Sequence, residues 1–173
     1  MGRLALMVPV FLSLMLFPGA GKAQQADDEE TPNRYGMALI AGNTYQPGRD
    51  IQYYLLNGFA LFDYSCIWGR PVPEQLMFKA EVSIGAAAVD KARLVASMNI
   101  LAVYYTDFWS TARLKPFAEA GIGFIYSDFR VKDQGFKINF NPQIGIGTEF
   151  HTASDTAFFL TFRLHHVSNG YTD

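Results

Sequence analysis

The stretch Leu76-Met77-Phe78-Lys79-Ala80-Glu81-Val82-Ser83-Ile84-Gly85-Ala86-Ala87-Ala88-Val89 decides the fold class. Phe78, Ala80, Val82, Ile84 and Ala86 alternate with Lys79, Glu81, Ser83 and Gly85. Side chains on a strand point to opposite faces in turn, so this strand has one apolar face and one charged or small face. The split recurs downstream. Met98, Ile100, Ala102 and Tyr104 oppose Ser97 and Asn99; Ala118, Ala120, Ile122, Phe124 and Tyr126 oppose Glu119, Gly121 and Gly123; Ile144, Ile146, Thr148 and Phe150 oppose Gln143, Gly145, Gly147 and Glu149.

The pattern predicts seven strands, over residues 34–45, 51–68, 76–89, 94–108, 116–129, 137–151 and 156–168, joined by turn-rich pieces such as Gln46-Pro47-Gly48-Arg49-Asp50. One apolar and one polar face suit a water-soluble sandwich, a lipocalin-like barrel, or a membrane barrel turned inside out. Two observations favour the membrane barrel. The strands run to about 12–18 residues against a usual five or six, and a strand spanning hydrocarbon needs roughly 9–11. The non-apolar face also carries charges of both signs, Lys79, Glu81, Glu119, Glu149 and Arg163, which can pair inside a narrow lumen where glycines leave room. The expected class is therefore an all-β, antiparallel up-and-down transmembrane β-barrel in the outer membrane of a Gram-negative bacterium.

The chain begins with Arg3, an apolar run over residues 4–17, a Pro18-Gly19 break and the small residues Gly21 and Ala23, the layout of a secretory signal over residues 1–23. Residues 24–33, with Asp27-Asp28-Glu29-Glu30, are charged and without periodicity and read as a disordered mature N-terminus; residues 34–173 are then the barrel domain. The net charge of -2 gives no attraction to nucleic acid. With Cys66 the single cysteine, no disulfide can form within the chain. His151, His165 and His166 lack ligand spacing, so neither a metal nor another cofactor is expected.

Seven strands do not close a bacterial outer-membrane barrel, which uses an even number, and an open edge in lipid leaves backbone groups unpaired. The sequence runs out at Tyr171-Thr172-Asp173, so an eighth strand is expected to be missing and the barrel domain C-terminally incomplete.

The last strand carries the candidate chemistry in Thr161-Phe162-Arg163-Leu164-His165-His166-Val167-Ser168-Asn169-Gly170. His166 and Ser168 share a face with Phe158, Leu160, Phe162 and Leu164, so a base and a nucleophile look out of the wall into lipid. Residues two apart on a strand lie about 6.6 Å apart and point the same way, a gap an imidazole can bridge. His166 is then placed to take the Ser168 proton as Ser168 attacks an ester carbonyl, with Asn169 or the Gly170 amide holding the oxyanion. H-x-S alone is a weak motif, and a polar strand end is its bland explanation. His165 faces the other way and is read as scaffold. With a periplasmic N-terminus, odd-numbered strands rise and the pair sits at the outer leaflet, where the lipid is lipopolysaccharide. Arg49, Lys91, Arg93, Arg130 and Lys132 fall in outer loops among Asp50, Asp90, Asp128 and Asp133, a patch left undecided.

The chain resembles the outer-membrane lipid A 3-O-deacylases (PagL type), most closely in Lys115-Pro116-Phe117-Ala118-Glu119-Ala120-Gly121-Ile122-Gly123, Asp133-Gln134, Ile138-Asn139-Phe140 and His166-Val167-Ser168-Asn169. The resemblance implies an eight-stranded barrel that removes the 3-position acyl chain of lipid A without a metal, with Ser168 as nucleophile, His166 as base and Asn169 with Gly170 as the oxyanion region. The family's acid lies about a dozen residues after the serine, beyond Asp173, so this chain lacks it and is expected to be slowed or inactive. The alternative is a non-catalytic barrel that stabilises the envelope or passes small apolar molecules. A third reading is acyl transfer. Lipopolysaccharide is the expected partner, and a homodimer is left open.

Overall fold

The computed structural model describes residues 6–8, 10–12, 34–45, 51–64, 72–129, 136–152 and 156–167. Among the described residues ten strands are formed: β1 (Leu6–Val8), β2 (Val10–Leu12), β3 (Arg34–Tyr45), β4 (Gln52–Asp63), β5 (Leu76–Ala88), β6 (Ala92–Tyr105), β7 (Leu114–Ser127), β8 (Ile138–Phe140), β9 (Gln143–His151) and β10 (Ala157–His166). The long strands pair antiparallel with their chain neighbours in the order β3-β4-β5-β6-β7-β9-β10, the up-and-down meander of a barrel. No helix among the described residues is long and apolar enough to cross a membrane.

Faces follow the predicted alternation. On β4 buried and exposed residues alternate over most of its length, and on β5 Lys79, Glu81 and Ser83 are buried while Val82 and Ile84 are exposed. Apolar side chains exposed on one wall, with charges buried behind them, invert the arrangement of a water-soluble protein. Ile146 is 65% exposed and Ile144 60%, whereas Glu119 is 2% and Arg163 4%. Outward-facing aromatics fall near both ends of the wall, with Tyr54, Phe124 and Phe140 toward the end that carries His166 and Tyr35, Tyr104 and Phe150 toward the opposite end. Such girdles mark the two interfaces of a spanning barrel.

The interior is layered. Toward the end opposite His166, Phe59, Leu61, Met77, Val103, Phe117 and Phe159 form one apolar cluster; toward the His166 end, Ile40, Ile51, Tyr53, Leu55 and Val95 form another, with Val89 and Phe129 packed against it. Between them lies an ionic belt. Glu119 takes hydrogen bonds from Lys79 Nζ and from Arg163 Nε (2.6 Å), and the Arg163 guanidinium also pairs with Glu81. Arg163 Nη1 donates to Gln143 Oε1 (2.9 Å), Gln143 Nε2 to Asn99 Oδ1 (2.6 Å), and Asn99 Nδ2 to Glu81 Oε1 (3.2 Å). Buried charges of this kind persist only when paired and hydrogen-bonded, and these are.

Glycine makes the belt fit. A Cβ on Gly147 would come within 2.4 Å of Phe117 Cζ, and one on Gly123 within 2.1 Å of Asn99 Oδ1. Of the charges expected to pair with one another in the lumen, Lys79, Glu81, Glu119 and Arg163 do so, whereas Glu149 binds Arg34 and accepts from the Tyr105 hydroxyl.

Strand limits depart from the sequence reading where hydrogen bonding intervenes. The first long strand matches. The fourth stops at Tyr105 rather than residue 108, because Thr106 N donates to Pro116 O (2.9 Å) and Ser110 N closes a turn onto Asp107 O (3.1 Å). The second ends at Asp63, and residues 65–68 of its predicted span lie outside the described residues. The single strand expected over 137–151 is two, β8 and β9, interrupted at Asn141-Pro142. Both halves keep one register on β7, with Phe124 opposite Phe140 and Gly121 opposite Gln143. Pro142 has no N–H for the ladder, while Asn141 still donates its own to Gly123 O (2.8 Å).

Residues from the predicted leader occupy the seam. β1 pairs with β3 (Met7 opposite Thr44) and with β10 (Leu6 opposite His166), and β2 pairs with β10. The strand ring therefore returns on itself where an eighth strand would stand. Residues 13–33, including the predicted N-terminal tail, lie outside the described residues.

Candidate active site

His166 is the last residue of β10, and its backbone N–H donates to Pro142 O (2.9 Å), which fixes the strand end against the β8–β9 break. Along β10 Thr161 and Arg163 are buried toward the lumen while Leu160 and Phe162 are exposed; His166 keeps the parity of the exposed set and is half-buried. The imidazole is thus carried on the apolar outer wall. Along the same face Leu164 stands opposite Ile144 and Phe162 opposite Ile146, and farther across the sheet the rings of Phe124 and Phe140 pair with centroids 5.2 Å apart.

His165 behaves oppositely. Its Nδ1 lies 3.2 Å from Asn141 Oδ1, and Asn141 Nδ2 donates to Asn99 Oδ1 (3.2 Å), so this imidazole belongs to the lumenal belt, as expected. Two adjacent histidines therefore face two different media.

Of the site residues predicted from sequence, only His166 falls within the described residues; Ser168, Asn169 and Gly170 lie outside them. The sequence reading did not foresee the Phe124–Phe140 pair or the backbone tie to Pro142. The outward parity of Ile138 and Phe140 was a readable signal for the first. Nothing in a single proline-containing strand pattern announced the second. Among the described residues no group of three His, Cys, Asp or Glu is arranged to hold a metal ion.

The family model for lipid A 3-O-deacylase (PagL) matches residues 62–173, more than half of the chain and all of β5 to β10. The chain belongs to that family. No curated protein and no solved structure gives a significant match. Members of the lipid A 3-O-deacylase family are outer-membrane β-barrels that act on lipid A, and the inverted wall, aromatic girdles and filled lumen described above are those of such a barrel.

Proposed function

We propose that this protein is a lipid A 3-O-deacylase that hydrolyses the ester-linked 3-position acyl chain of lipopolysaccharide in the outer leaflet, with Ser168 as nucleophile and His166 as general base. The observation that supports the reading is the strand parity of His166, the last residue of β10, which matches that of the exposed Leu160 and Phe162 in a chain of this family. An ester in the bilayer can reach a group on that wall and cannot reach one in the lumen.

In this reading Ser168 Oγ attacks the ester carbonyl carbon while His166 takes its proton. The tetrahedral oxyanion is held by Asn169 or the Gly170 amide. Collapse breaks the bond to the sugar oxygen, which leaves with the proton from His166. A water activated by the same imidazole then releases the fatty acid from the serine. In this reading the His166 end faces the outer leaflet, and residues 1–23 are a secretory leader removed on export.

A non-catalytic barrel passing small apolar molecules is disfavoured by the interior, where two apolar clusters sandwich an ionic belt. Mass spectrometry of lipid A from cells expressing the protein is the test. Loss of one hydroxyacyl chain, abolished by Ser168→Ala, is expected. An unchanged lipid A profile overturns the reading, and a gain of mass on another lipid points to acyl transfer.

A further inference from the structure

At the His166 end, the β5–β6 turn and the facing end of β7 enclose a bowl of about 620 Å³ lined by Asp90, Lys91, Arg93, Asp128 and Lys137, with Val89 and Phe129 as its apolar lining. Val89 and Phe129 also pack on the apolar cluster that closes the lumen, so the bowl has a floor and is not a channel mouth. Its frame is tied down by backbone hydrogen bonds: Val89 N to Lys91 O (3.3 Å), Asp128 N to Leu94 O (3.1 Å) and Ser127 N to Lys137 O (2.9 Å). Arg93 is committed locally, pairing its Nε with Asp128 Oδ1 (3.1 Å) and donating from Nη2 to the Asp128 carbonyl (2.8 Å). That pairing neutralises one of the two carboxylates. Lys91 and Lys137 remain exposed in the lining with Asp90 as the other acid, so the described lining of this prebuilt concavity is net positive.

We propose that this bowl is a phosphate subsite for the headgroup of the glycolipid substrate. The inference rests on the lipid A hydrolase reading and adds to it where the headgroup is held. Lys137 precedes Pro142 by five residues on the β8–β9 line, about 16 Å of strand, and Pro142 is the residue whose carbonyl holds His166 N. The outer wall between them carries Ile138 and Phe140 beside Phe124. Cations at the rim, apolar rings below and an imidazole beyond match a molecule with an anionic sugar head and acyl tails. Lysines close to a membrane surface attract anionic lipid groups.

The test is binding by the Ser168→Ala form of the complete protein in detergent micelles, titrated with bisphosphorylated and with dephosphorylated lipid A. Lys91→Gln/Lys137→Gln is expected to weaken binding of the phosphorylated form about tenfold and to bring it level with the dephosphorylated form, while Lys91→Arg/Lys137→Arg restores it. Millimolar inorganic phosphate failing to compete assigns the site to the lipid-borne group; full displacement by phosphate at that level assigns it to the free ion and overturns a headgroup subsite. Equal loss for both lipids, or none, also overturns it. Absence of hydrolysis by the unsubstituted protein would sink the esterase reading and leave this binding comparison intact.

Discussion

The two faces of β10 carry similar chemistry to different ends. Inward, Arg163 binds Glu81, Glu119 and Gln143, and His165 meets Asn141 through Nδ1. One residue further on, His166 has the parity of the exposed Leu160 and Phe162, on the apolar face of the strand. The lumen concentrates the titratable groups of this protein, and a search for clustered charges would name it as the active site. Those charges are instead mutually saturated and sealed between apolar layers, which is what a scaffold needs. Chemistry on a membrane ester needs a less crowded imidazole on the other side of the wall.

The sharpest way to break this contrast is to substitute the neighbours. His166→Ala is expected to lower lipid A deacylation by at least about 10³-fold with the barrel still folded, the scale lost when a base in a nucleophile–base pair is removed. His165→Gln is expected to cost less than tenfold. Comparable losses in the two would erase the distinction. Next in size, Glu119→Ala strands Lys79 and Arg163 without their shared partner and is expected to destabilise the barrel by about 3–5 kcal/mol, read as a lowered urea midpoint by heat-modifiable gel mobility.

Charge tolerated inside is not tolerated outside. Ile100→Lys, midway along β6 on the lipid face, is expected to cost about 2–4 kcal/mol in refolding into lipid vesicles, although Lys79 sits in the lumen of the neighbouring strand. Little change would mean that this wall does not meet hydrocarbon. Gly147→Ala drives a methyl into the Phe117 ring and should cost about 1–3 kcal/mol by the same assay as Glu119→Ala.

The period-two alternation of β5 made both faces legible before any coordinates, because one strand reports its own sidedness. The membership of the lumenal belt was legible too, as a set of charges on one parity. The individual pairings were not: Glu119 meets partners 40 and 44 residues away, and which strands face across the lumen depends on closure of the whole ring. The break at Asn141-Pro142 is silent in the pattern because a two-residue gap leaves the alternation of Ile138, Phe140 and Ile144 in phase. The rim patch left undecided gained a reading only once Arg93 was seen to absorb Asp128 and Lys137 was seen to join Lys91.

The orientation of the β10 end is the point on which the catalytic account stands. Nitroxide labels placed singly at residues 164, 165, 166 and 168 of the complete protein, in a Cys66→Ser background and reconstituted in bilayers, report whether each site meets oxygen in lipid or a water-soluble nickel chelate. Residues 164, 166 and 168 are predicted to be relaxed mainly by oxygen and residue 165 by neither. Strong nickel relaxation at 166 and 168, or the two-residue alternation reversed, would contradict a lipid-facing serine and histidine.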